Sequence, residues 1–73
     1  MKIQDLATKP FKRTNTLRAS SWRAVKVSDS ERHIYHYATL MAVVANGEMT
    51  QVSEGRGSMS DKCGMARLRR AFV

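Results

Sequence analysis

The chain has 73 residues, with thirteen Lys/Arg against six Asp/Glu, a formal net charge of +7 and a pI near 10.4. A length like this makes a single domain (1–73) that buries only about 60% of its unfolded surface. Its lone cysteine, Cys63, excludes an internal disulfide and fits a reducing, cytoplasmic setting. The longest nearly apolar run, residues 38–45, falls far short of the roughly 20 residues a membrane helix needs. Residues 1–8 lack the apolar core of a signal peptide, so no membrane partner is expected.

The charge is unevenly spread. Residues 1–28 carry seven Lys/Arg and one acid (+6), residues 29–54 one Arg and four acids (−3), and residues 55–73 five Lys/Arg and one acid (+4). Two basic ends around an acidic middle point to a polyanion or an acidic protein surface as partner.

In chain order, the lead segment and loop (1–21) open with apolar Ile3, Leu6 and Ala7 at helical spacing. One or two helical turns over 2–8 are expected, ended by Pro10, with Phe11 anchoring the segment to the body. The polar TNTLRASS that follows reads as loop, with a partly extended stretch as the alternative. The sheet-and-helix body (22–73) starts with a strand, WRAVKVS, which puts Arg23, Val25 and Val27 on one face and Trp22, Ala24 and Lys26 on the other. Asp29-Ser30-Glu31 is a turn.

HIYHYATLMAVV, residues 33–44, has the β-branched and aromatic content of one long strand, with no Gly or Pro. Asn46-Gly47 then predicts a two-residue type I′ hairpin leading into a return strand over 48–53. In that register Ala45 faces Glu48, Val43 faces Thr50 and Met41 faces Val52. Gly55-Arg56-Gly57 breaks the sheet.

Ser58 and Asp61 match a capping box, with Ser60 as an alternative cap, and open a helix reaching residue 72. Its apolar stripe is Met65, Leu68 and Phe72, with Cys63 and Ala71 beside it. Gly64 costs this helix about 1 kcal/mol relative to Ala. The expected fold is α+β: a three-stranded antiparallel meander covered by a C-terminal helix. Ala38 and Ala42 mark the covered face, with Ile34, His36, Leu40 and Val44. The face with His33, Tyr35, Tyr37, Thr39, Met41 and Val43 is left open.

Two features suit nucleic acid. Tyr35 and Tyr37 on an open sheet can stack unpaired bases, with Lys26 and Arg32 near enough to hold phosphates; the competing reading is two half-buried strand tyrosines. The helix carries Lys62, Arg67, Arg69 and Arg70. Arg67 and Arg70 are neighbours at i, i+3 while Arg69 points elsewhere, and the lead segment and first strand add Lys9, Lys12, Arg13, Arg18 and Arg23. Such a helix can follow a phosphate backbone, or be a solvated face complementing its own dipole. A helix-turn-helix is excluded because no adequate second helix precedes it. Gly55-Arg56-Gly57-Ser58 at a helix start can hold an anion, although the spacing is not a Walker loop and a plain strand-to-helix turn accounts for it.

Catalytic and metal chemistry find little support. His33 and His36, three apart on a strand, point to opposite faces and cannot share a metal. Cys63 is expected as a buried structural cysteine, or at most in a pair with His36 at the helix–sheet interface. No cofactor and no enzyme activity are expected.

From Arg32 onward, a strand with Tyr35 and Thr39, a tight hairpin, Gly55, Gly57 and Ser58 in a Gly-x-Gly-Ser turn, and a short basic helix ending Leu-Arg-Arg-Ala-Phe form a layout over residues 32–72. It resembles small uncharacterised proteins encoded by bacteriophages. The resemblance implies a phage origin, a host-cytoplasmic location and a sheet-plus-helix domain, and it implies no particular activity. Small phage proteins of this kind often bind a host enzyme or defence complex. Three readings follow: nucleic-acid binding; binding of a host nuclease, polymerase or defence complex; and a homo-oligomeric structural role with Met41, Val43 and the tyrosines at the interface.

Overall fold

The computed structural model describes residues 1–53, 55 and 57–72. Helix α1 (Asp5–Thr8) leads into five strands: β1 (Thr16–Ala19), β2 (Trp22–Ser28), β3 (Glu31–His36), β4 (Thr39–Ala45) and β5 (Glu48–Gln51). Helix α2 (Met59–Arg69) follows and tightens into a 3₁₀ turn over Arg70–Phe72. The strands form one antiparallel sheet in the order β1-β2-β3-β4-β5, each paired with its chain neighbour. The protein is thus α+β with a C-terminal helix, but the sheet has five strands rather than three.

Both extra strands come from turns that the sequence hides. Within TNTLRASS, residues 16–19 pair with β2 through the two-residue loop Ser20-Ser21, so the sheet begins before Trp22. The expected long strand over 33–44 folds back at Tyr37-Ala38, where His36 pairs with Thr39. Ser20 (φ 58°) and Tyr37 (φ 56°) take the left-handed conformation usually left to Gly or Asn. Tertiary contacts hold these turns in place of turn chemistry: the Tyr37 amide donates to the Ser21 carbonyl at 3.1 Å, tying one loop to the other. Asn46 (φ 53°) and Gly47 (φ 80°) form the anticipated hairpin, with Ala45 opposite Glu48 and Val43 opposite Thr50. The last ladder pair is Ala42 with Gln51, and the Val52 amide still donates to the Met41 carbonyl at 2.9 Å.

A bulge in β4 corrects the expected faces. Ile34 pairs with Ala42 but Tyr35 pairs with Leu40, which leaves Met41 as the extra residue. Met41 and Ala42 are therefore both fully buried, and Leu40 moves to the half-exposed side. Ala38, expected under the helix, is exposed in the turn.

The core lies between one sheet face and the helices. Trp22, Ile34 and Met41 from the sheet meet Leu6 of α1 and Leu68 of α2. Ser58 caps α2, its hydroxyl accepting from the Asp61 amide at 3.2 Å while Asp61 returns a contact to the Ser58 amide, so the capping box is complete. The buried stripe of α2 is Asp61, Gly64, Met65 and Leu68, with Ala71 and Phe72 half-buried beyond it. Cys63 is exposed, contrary to expectation, because it falls on the opposite side of the helix. Gly64 has a packing reason: a Cβ there would lie 2.1 Å from Cζ2 of Trp22. Its weak helix propensity is the cost of seating α2 flat on the indole. Among the described residues, no helix is long and apolar enough to cross a membrane.

Candidate nucleic-acid interface

Alternate strand residues bury one sheet face, so the other is defined by register. Arg18, Arg23, Tyr35 and Leu40 form one row across β1 to β4. Thr16, Val25, His33, Val43 and Thr50 form the next, and Ser28, Glu31, Ala45 and Glu48 the last. These side chains are exposed or half-buried while their neighbours along the strands fill the core. The open face is therefore polarised, with arginines at the end near the Ser20-Ser21 and Tyr37-Ala38 loops and carboxylates at the other. His33 sits at the acidic end, its Nε2 2.9 Å from Glu31 Oε2.

Arg18 and Arg23 stand directly opposite each other, an arrangement that disfavours a sheet because like charges repel across the strands. Neither has an ion-pair partner among the described residues. The Arg23 guanidinium lies 4.8 Å from the Tyr35 ring centroid, a cation–π contact that leaves its charge intact. Its Nε is shielded from solvent and has no hydrogen-bond partner among the described residues.

A second cation pair, Lys26 opposite Arg32, lies on the covered face. Both side chains were expected near the tyrosines, but strand alternation turns them away. Lys26 reaches Asp29 Oδ1 at 3.4 Å. Arg32 Nη1 donates to the carbonyls of Leu6 (2.8 Å) and Lys9 (2.9 Å), and its guanidinium sits 4.4 Å from the Phe11 ring centroid. It satisfies carbonyls at the C-terminal end of α1 and fastens the lead segment through Phe11. Partial burial lowers its pKa from the ordinary arginine value.

The remaining expected site residues divide between surfaces. Lys62, Arg67, Arg69 and Arg70 are exposed on α2 and the 3₁₀ turn after it, in the layer behind the sheet. Arg69 donates to Gln51 Oε1 and so ties α2 to β5. Arg13 is exposed within the Phe11–Thr14 turn, and Lys12 lines a groove with Phe11, Ala71 and Phe72. The lead segment thus meets the end of the helix while Arg18 and Arg23 face the other way, so among the described residues the N-terminal cations divide between two surfaces. Tyr35 and Tyr37 also separate: Tyr35 is half-buried on the sheet, and Tyr37, 72% exposed, projects from the β3–β4 loop. Arg56 lies outside the described residues. Gly55 and Gly57 take left-handed φ values of 62° and 68°. A Cβ on Gly55 would lie 2.9 Å from Asp61 Cγ, so an acid sits where an anion at this helix start would have to bind.

Sequence reasoning missed the buried polar cluster at the same end of the sheet. His36 is 5% exposed and stacks flat on Trp22, with centroids 4.4 Å apart. Its Nδ1 is hydrogen-bonded to Asp61 Oδ1, and its Nε2 lies 2.9 Å from the Ser21 hydroxyl and 3.4 Å from that of Ser60. The Ser58 hydroxyl donates to the other Asp61 oxygen at 2.9 Å. Asp61–His36–Ser21 has the hydrogen-bond order of a hydrolytic triad, and it joins β3, the β1–β2 loop and the start of α2. The capping box was legible because its residues are local. The partner of Asp61 was not, since it lies 25 residues away. The Cys63–His36 pair, the lesser of the two readings of Cys63, does not form: Cys63 is exposed and His36 is buried.

No protein-family model matches the chain, and neither does any curated protein or any solved structure.

Proposed function

We propose that this is a non-catalytic nucleic-acid-binding protein whose main contact surface is the arginine end of the open sheet face. The observation that carries the reading is the Arg18–Arg23 pair: two cations held opposite each other with no carboxylate among the described residues to neutralise them. A phosphate backbone supplies the missing charge and releases counterions on binding. Tyr35 beneath Arg23 stiffens the pair and adds an aromatic surface. Lys62, Arg67 and Arg70 on the far side give a second electrostatic surface. The Asp61–His36–Ser21 chain fits a structural role, since Nε2 of the imidazole is shared between two hydroxyls and its ring is packed against Trp22.

The test is a binding titration with short DNA and RNA at low and at physiological salt. Affinity should fall steeply as salt rises, because single-stranded binding loses about 0.7 log units per neutralised phosphate for each log unit of salt. No binding at low salt would sink the proposal.

A second reading, an accessory protein that binds a host protein, draws on half-exposed Val25, Leu40 and Val43 on the same face. It predicts a stable complex with one host protein and little affinity for bare nucleic acid. A homo-oligomeric role loses one of its interface residues, because Met41 is fully buried within the chain.

A further inference from the structure

A groove of about 340 Å³ opens between the two loops at the arginine end of the sheet, lined by Arg18, Ser20, Ser21, Trp22, Arg23, Tyr37 and Ala38. Among the described residues its lining holds two cations and no carboxylate. Four other surface grooves each include an acid: Asp29 and Glu31 in one, Glu48 in another, and Asp61 in the remaining two.

Tyr37 is the unusual member of this lining. It is a large aromatic, 72% exposed, at a loop position whose left-handed φ of 56° disfavours a bulky side chain. Its backbone is nonetheless fixed. The amide is bonded to the Ser21 carbonyl at 3.1 Å, and the ring centroid lies 4.6 Å from that of the clamped His36. The ring is therefore presented to solvent from a rigid base, next to two arginines with no ion pair among the described residues.

Resting on the nucleic-acid reading above, we propose that this groove takes one nucleotide of a single strand. Tyr37 stacks on an unpaired base, and Arg18 and Arg23 hold the adjoining phosphate. A base within a duplex already has both faces stacked and cannot offer one to a tyrosine, so the site selects single strands. The chemistry recognised, a free base face and a phosphodiester, is common to DNA and RNA.

The test measures fluorescence anisotropy of a short oligothymidylate, an oligouridylate of equal length and a duplex of equal length, at low salt. Wild type is compared with Tyr37→Gly, which accepts the left-handed backbone and removes the ring, and with Tyr37→Trp, which keeps an aromatic. Both single strands should bind wild type more tightly than the duplex does. Tyr37→Gly should weaken them by roughly tenfold, leave the duplex unchanged, and be rescued in Tyr37→Trp. Whichever single strand binds more tightly identifies the source, and either result supports the site. A duplex that binds as tightly as the single strands, or a Gly variant that binds like wild type, would overturn this inference and leave the nucleic-acid reading standing. Absence of binding by all three probes would overturn that reading itself. Should Tyr37→Gly fail to fold, amide shifts of the wild-type protein titrated with oligothymidylate decide the matter: they must cluster at Arg18, Arg23 and Tyr37, and shifts confined to α2 would refute the site.

Discussion

Two pairs of cations face each other across neighbouring strands of this sheet, and the chain treats them differently. Lys26 and Arg32, on the covered face, are both committed: one to Asp29, the other to two carbonyls and the Phe11 ring. Arg18 and Arg23, on the open face, have no ion pair among the described residues. The same cross-strand repulsion acts at both places. At the first, internal partners offset it and the charge fastens the lead segment. At the second it stands uncompensated, as expected of a surface whose counter-charge comes from outside.

The comparison depends on a sheet firmly seated under α2, so the largest effect is expected where that seating is broken. Asp61→Ala removes the helix cap and the buried partner of His36 together. Leaving the buried His36 nitrogen without its partner costs about 1–3 kcal/mol and losing the helix cap about 1 kcal/mol more, a large share of the stability of a 73-residue domain. Chemical denaturation should show this loss, with much of the population unfolded at moderate temperature.

Arg32→Met tests the committed pair itself. Hydrogen bonds from charged donors contribute about 1.5–3 kcal/mol, so a loss of about 2–3 kcal/mol is expected, together with faster proteolysis of residues 1–13. Gly64→Ala sets a gain of about 1 kcal/mol in helix propensity against overpacking on Trp22, typically about 1–3 kcal/mol. With the added carbon 2.1 Å from the indole, steric cost should win and the melting temperature should fall. Arg18→Gln should do the reverse on a smaller scale. Relief of like-charge repulsion predicts stability unchanged or raised by about 0.2–0.5 kcal/mol, while affinity for nucleic acid drops. A clear loss of stability in Arg18→Gln would mean that the open pair has an internal role after all.

The parts of the fold legible in the sequence were those written locally. Asn46-Gly47 specified its hairpin because both residues tolerate left-handed φ, and Ser58 with Asp61 specified the helix start because a capping box spans only four positions. The Tyr37-Ala38 and Ser20-Ser21 turns carried no such mark, as their residues favour strand or loop and are held by each other and by His36. Strand alternation assigns Met41 to the open face, yet it is buried, because a bulge shifts the period-two alternation without changing composition. The basic residues stand out as the candidate site from composition alone. What the sequence could not show was their division: alternation sends Arg18 and Arg23 to one face and Lys26 and Arg32 to the other, and a five-strand sheet separates the first pair from the helix cations.

The most direct test of that division is the salt dependence of single-strand binding in two double variants, Arg18→Gln/Arg23→Gln and Arg67→Gln/Arg70→Gln, each beside wild type. At about 0.7 per phosphate contact, the sheet variant should flatten the slope of log affinity against log salt by about 1.4 and weaken binding at low salt, whereas the helix variant should change both far less. Equal slopes in wild type and the sheet variant, with the loss appearing in the helix variant instead, would contradict the account.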